Sequence, residues 1–207
     1  MRSKNQWKIS GTNEFWSEIA PSEHVVQFYE NEDRFLDTLA GFVGDGINAG
    51  DSVVVIATPE HRKGLEDRLT NHVININSLL LDDLYIPLDA SSALKCFMVD
   101  GLPDEVLFNS LIKSIVNRGL RKNRKVRAFG EMVGLLWMSH QKEATIRLEE
   151  MWDKFCQEHH ISLLCAYSKS LFDESDTGGL HQICKHHSKI ITDSEKPLKE
   201  ILYQATG

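Results

Sequence analysis

Val53-Val54-Val55-Ile56-Ala57-Thr58-Pro59 (VVVIATP) is the stretch on which the fold turns. An unbroken apolar run rich in β-branched residues suits a strand buried on both faces, the pattern of a parallel sheet covered by helices. Thr58-Pro59 directly after it reads as a helix start. The threonine hydroxyl can accept a bond from a free N–H of the first turn, and proline lacks the N–H that would otherwise go unpaired there. Leu65 and Leu69, four residues apart, give that helix its buried side. A buried strand running straight into a helix is half of a βαβ unit.

The same alternation extends in both directions. Upstream, residues 24–30 (HVVQFYE) read as a strand and residues 32–48 as a helix, with Phe35, Leu36, Leu39, Phe42, Val43 and Ile47 at helical spacing. Gly41, Gly44 and Gly46 weaken that helix unless its backbone packs closely on a neighbour, and Gly50 stops it. Downstream, residues 72–90 are poorly patterned apart from a strand at 84–88. Pro103-Asp104-Glu105 opens a helix with Phe108, Leu111, Ile112 and Ile115 inside, and residues 125–131 (KVRAFGE) return to strand character. Residues 141–159 form the clearest helix, with Glu143/Arg147 and Glu150/Lys154 as supporting pairs, and residues 161–167 (ISLLCAY) another buried strand. The predicted fold class is α/β: one doubly wound, mostly parallel sheet with helices on both faces. The domain spans residues 23–192. An N-terminal arm at 1–22 carries Trp7, Phe15, Trp16 and Ile19, and a C-terminal tail at 193–207 is expected to be helical near residues 198–203.

Composition narrows the function classes. Apolar residues make up 42% and charged residues 26% of 207, an ordinary globular balance, and the net charge of −7 supplies no global attraction for nucleic acid or an anionic membrane. Residues 1–10 lack the apolar core of a signal peptide, and no apolar run nears the roughly 18 residues that suggest a membrane span. Cys96, Cys156, Cys165 and Cys184 are widely spaced and read as reduced thiols, so a cytoplasmic location is expected. The basic stretch Arg118, Arg121, Lys122, Arg124, Lys125 and Arg127 follows a helix that opens with Asp104-Glu105. It complements that helix's macrodipole and reads as a solvated helix end.

Ligands of open α/β sheets sit beyond the carboxyl ends of the strands, and those ends carry Tyr29, Glu30, Thr58, Glu131 and Tyr167, with Trp137 in the apolar helix start after Glu131. These six are the candidate ligand-binding residues. Glu131 stands out because it closes a buried strand, where a carboxylate must be paired, hydrated or protonated; pairing with Arg127 and capping of a helix are the structural alternatives. The first strand-to-helix turn, Tyr29-Glu30-Asn31-Glu32-Asp33, has no glycine and three acids, so it would repel phosphate. No catalytic residue, metal site or cofactor is assigned. Cys184-x-x-His187 has ligand-like spacing, but a structural zinc wants two such pairs, and helix packing accounts for it.

The stretches HVVQFYE (24–30), FMVDGLPD (97–104), RAFGEMVGLLW (127–137), LEEMW (148–152), LLCAY (163–167) and ICKHHS (183–188), in this order, resemble the MEDS domain, the methanogen/methylotroph sensory domain, over residues 24–190. The resemblance implies a degenerate RecA/KaiC-like fold that has lost its phosphate loop. It also implies a non-catalytic sensor of small molecules, hydrocarbon derivatives among them, in a family often joined to histidine kinases or DNA-binding domains. No kinase core or helix-turn-helix stands in these 207 residues. The expected output is therefore through a separate histidine kinase or transcription regulator, with self-association through the apolar arm and no direct contact with nucleic acid or membrane. Two other functions fit the same residues: a protein-binding adaptor whose cleft is filled by side chains, and a hydrolase built on Glu131.

Overall fold

The computed structural model describes Trp16 and residues 19–72, 75–173 and 176–192. Its centre is a six-stranded sheet, all parallel, made of β1 (His24–Tyr29), β2 (Ser52–Ala57), β3 (Tyr85–Asp89), β6 (Val126–Gly130), β7 (Ser162–Ser168) and β8 (Lys189–Thr192) in the order β3-β2-β6-β7-β1-β8. A two-stranded antiparallel hairpin, β4 (Met98–Val99) with β5 (Leu102–Pro103), lies apart from it. β2 is buried at all six positions, as its continuous apolar run requires.

Helices cover both faces. One core holds the inner sides of α1 (Glu32–Ala49), α2 (Pro59–Asn71) and α3 (Ile76–Leu81), with Phe35, Leu65, Leu79 and Phe129 among its residues. The other lies under α4 (Ala90–Phe97), α5 (Glu105–Gly119), α6 (Met132–Met138), α7 (Lys142–His159) and α8 (Thr177–Lys185), and contains Phe97, Phe108, Trp137, Trp152 and Ile183. The expected doubly wound α/β class is what the chain has, with the first strand lying inside the sheet between β7 and β8.

Local signals act as the sequence implied. The Thr58 hydroxyl accepts the His61 N–H at 3.3 Å with Pro59 in the first turn, and Gly50 ends α1 in the left-handed conformation at φ 84°. Gly46 is needed because β2 and β6 press on α1: a Cβ there would stand 2.8 Å from Val53 and 3.1 Å from Arg127. Residues 72–90 hold the strand expected at 84–88 as β3, with the unforeseen helix α3 before it, and the edge strand β8 was not foreseen because four residues, two of them exposed, leave no alternation to read. Lys154 pairs across to Glu105 at 2.6 Å rather than along its own helix to Glu150, which faces His186 at 3.8 Å.

Trp16 is 5% exposed, with its ring edge-on to Phe42 at a centroid distance of 5.2 Å, and its carbonyl accepts a bond from Arg127 at 2.9 Å. At least this residue of the arm therefore belongs to the domain core. Trp7, Phe15 and the tail helix expected near 198–203 lie outside the described residues. Four residues of the basic stretch pair with aspartates: Arg118 with Asp83, Lys122 and Arg124 with Asp82, and Arg127 with Asp51. No helix among the described residues is long and apolar enough to cross a membrane.

Candidate functional site

Because β2 and β6 are neighbours in register, the turns that follow them are brought side by side, and the Glu131 N–H bonds the Ile56 carbonyl at 2.9 Å. The Glu131 side chain then reaches the start of α2. Its Oε2 accepts the Thr58 N–H at 2.9 Å, and its Oε1 lies 2.6 Å from His61 Nδ1. His61 Nε2 faces Glu32 Oε1 at 3.3 Å, so an imidazole bridges a nearly buried carboxylate and one that is 66% exposed. Burial alone would lower the His61 pKa, but its bonds and charge interactions with Glu131 and Glu32 raise it above the ordinary value. The imidazolium is thereby favoured. Arg127, the partner considered from sequence, is taken instead by Asp51 at 2.7 Å at the far end of β6.

Tyr29 stacks on Phe35 at 4.5 Å, and Phe35 meets the His61 ring edge-on at 4.9 Å. Burial, then the Glu131 and Glu32 carboxylates, push the Tyr29 phenol up to about 12, so it remains a hydrogen-bond donor. Glu30 is held by Lys169 at 3.1 Å. The start of α1 is closed by its own cap, the Asn31 side chain accepting the Arg34 N–H at 3.0 Å. Four of the six sequence candidates, Tyr29, Glu30, Thr58 and Glu131, thus gather at the carboxyl ends of β1, β2 and β6.

Trp137 and Tyr167 do not join them. Phe28 pairs with Tyr167 across the β1–β7 ladder, so strand alternation sends Tyr29 to the opposite face from Tyr167. Tyr167 stacks on Phe28 at 5.7 Å and meets Phe172 at 5.7 Å, while Trp137 lies 4.9 Å from Phe172 and donates to the Leu171 carbonyl at 3.1 Å. These rings fill the space under α6 and α8 and do not wall a cleft shared with Tyr29. His61 was missed from sequence. The available signal was its place two residues beyond Pro59, in the first turn of a helix whose strand neighbours the one ending at Glu131.

Under Tyr167 lies a second polar group, sealed in the core. The Tyr167 hydroxyl donates to Glu149 Oε1 at 2.5 Å, and Glu149 Oε2 faces His24 Nε2 and His187 Nε2, each at 3.5 Å, and Cys165 Sγ at 3.8 Å. His24 Nε2 is 3.3 Å from Cys165 Sγ. Burial pushes the Glu149 carboxyl up to about 8 and takes His187 down to about 4. Elsewhere a groove of about 440 Å³ runs between α4 and α6, lined by Leu94, Met98, Leu135, Leu136 and Met138 together with polar residues.

A Pyrococcus horikoshii OT3 protein from a structural study superposes with a TM-score of 0.54 at 10% identity, over 86% of this chain and 84% of that one. The flagellar accessory protein FlaH from Methanocaldococcus jannaschii gives 0.47 at 12% identity, over 84% of this chain and 72% of that one. No curated protein sequence matches significantly. The first of these likenesses is one of fold. The family model described as MEDS, the methanogen/methylotroph, DcmR sensory domain, matches residues 23–188, in the span where the six sequence stretches lie. With a match over most of its length, the chain belongs to the MEDS sensory-domain family.

Proposed function

We propose that this chain is a non-catalytic sensory module of the cytoplasm that binds a small ligand at the rim formed by Glu131, His61, Thr58, Tyr29 and Glu30. It passes the binding event to a separate protein, a histidine kinase or transcription regulator. The observation that carries the reading is the rim itself: at the first strand-to-helix turn, the helix N-terminus is occupied by the Asn31 side chain and surrounded by Glu30, Glu32 and Asp33. That surface opposes phosphate and carboxylate groups and favours a neutral or cationic ligand with N–H or O–H donors, an alcohol or amine derivative of a small hydrocarbon. Glu131 and Tyr29 would orient it, and the Glu32–His61–Glu131 chain, open to solvent at Glu32, would register it by rearranging its bonds.

The adaptor reading has one observation in its favour: Phe28, Trp137, Tyr167 and Phe172 pack on one another and leave that side of the strand ends filled. The hydrolase reading gains the Glu131–His61 contact, but both groups are nearly buried and Glu131 is already engaged by Thr58.

The deciding experiment is thermal-shift and native mass spectrometry of the full chain with a panel of short-chain alcohols and amines, alongside Mg-ATP. Saturable stabilisation by a panel member, weakened in Glu131→Gln while the variant stays folded, supports the sensor. Tight binding of Mg-ATP, or no saturable response to any panel member, overturns it.

A further inference from the structure

The buried polar cluster has a composition that the sensory reading does not use. His24 opens β1, Cys165 lies in the middle of β7, Glu149 projects from α7, and His187 follows α8. Four separate elements thus direct one imidazole, one thiol, one carboxyl and a second imidazole to a common point, and the four donor atoms lie within 4.8 Å of one another. We propose that His24, Glu149, Cys165 and His187 form a closed, four-coordinate site for a divalent first-row metal ion, zinc by the nature of its donors.

Three features argue for a cation. The spacing fits first: ligand atoms placed tetrahedrally about 2.0–2.3 Å from zinc stand roughly 3.3–3.8 Å apart, and the contacts His24–Cys165, His24–Glu149, His187–Glu149 and Cys165–Glu149 measure 3.3, 3.5, 3.5 and 3.8 Å. Second, the surrounding bonds orient the ligands toward the centre. His187 Nδ1 is 2.8 Å from the Ile183 carbonyl; it donates there, which leaves the Nε2 lone pair facing the cluster. The Tyr167 hydroxyl occupies Glu149 Oε1 and leaves Oε2 for the metal. Third, His187 Nε2 is buried with no hydrogen-bond partner, although its side chain is 0% exposed. An acceptor nitrogen sealed from water costs about 1–3 kcal/mol when left unpaired, and a metal bond removes that cost.

Mixed nitrogen, sulfur and oxygen donors suit zinc better than the oxygen-seeking magnesium or calcium. Four protein ligands leave no open position, so the ion acts structurally. It ties α7 and the segment leading from α8 into β8 to the two neighbouring strands β1 and β7. Cys184, the residue that forms the ligand-like spacing with His187 in sequence, takes no part.

Elemental analysis of the full chain, purified without a metal-binding tag, should find close to one zinc or other first-row divalent ion per chain. After chelation, added Co(II) should bind one-to-one and give a thiolate-to-cobalt charge-transfer band with ligand-field bands of tetrahedral intensity. Cys165→Ser should abolish the charge-transfer band. Tyr167→Phe should keep the band but weaken cobalt binding by about 10–100-fold, and Cys184→Ala should leave both unchanged. A wild-type chain that takes up neither zinc nor cobalt, a band that survives Cys165→Ser, or a band lost with Cys184→Ala would overturn the proposal. If Cys165→Ser does not fold, wild-type stoichiometry and spectrum together with Cys184→Ala decide it.

Discussion

Glu131 shows how a strand-end carboxylate is kept at low cost: one oxygen takes a backbone N–H at 2.9 Å and the other an imidazole at 2.6 Å. Glu131→Ala leaves the Thr58 N–H and His61 Nδ1 without partners and should cost about 1–3 kcal/mol in chemical denaturation. Glu131→Gln keeps the shape but removes the charge, so the His61 pKa, followed by NMR titration, should fall. The pH dependence follows from the same pair. The folded His61 pKa lies above the unfolded value of 6.5, so its contribution is fully present below 6.5 and lost as pH rises through the folded value. The stability gap between wild type and Glu131→Gln should therefore be widest in mildly acid solution and narrow toward alkaline pH. A gap that widens with pH would contradict the ion pair.

At the level of single elements, α8 carries two adjacent glycines in opposite situations. Gly178 has nothing within 4 Å of where a Cβ would stand, whereas a Cβ on Gly179 would come within 2.3 Å of the Trp137 ring. Gly178→Ala should stabilise by about 0.5–1 kcal/mol through reduced backbone entropy. Gly179→Ala receives the same local gain but must displace an indole fixed by Phe172 and by its bond to Leu171, so overpacking should outweigh it by about 1–3 kcal/mol. Melting of the two variants side by side checks both signs. The element boundaries themselves were legible wherever a cap or a long apolar face marked them, as at Thr58-Pro59, Gly50 and residues 142–159. α3 and β8 were not, because a six-residue helix and a four-residue edge strand are too short for periodicity to show.

For the molecule as a whole, the N-terminal arm is tied to the sheet through Trp16, which packs on Phe42 while its carbonyl takes one arm of Arg127. Trp16→Ala should lower stability by about 3–5 kcal/mol in equilibrium unfolding. A near-neutral result would mean that the tryptophan packs without contributing to the core.

The sequence by itself determined the layered α/β class, the acidic, glycine-free first strand-to-helix turn and the family. Each of these depends on local order along the chain: a buried strand, a cap, a run of acids in one turn. Which side chains meet was decided only by tertiary structure. Glu131 finds His61 because β2 and β6 are neighbours, and Tyr29 parts from Tyr167 because aligned parallel strands turn successive residues to opposite faces. His24, Glu149, Cys165 and His187 stand one by one in the stretches HVVQFYE, LEEMW, LLCAY and ICKHHS. Their convergence could not be read from spacing, since residues from 24 to 187 are brought together by strand order and helix packing, which no local pattern encodes.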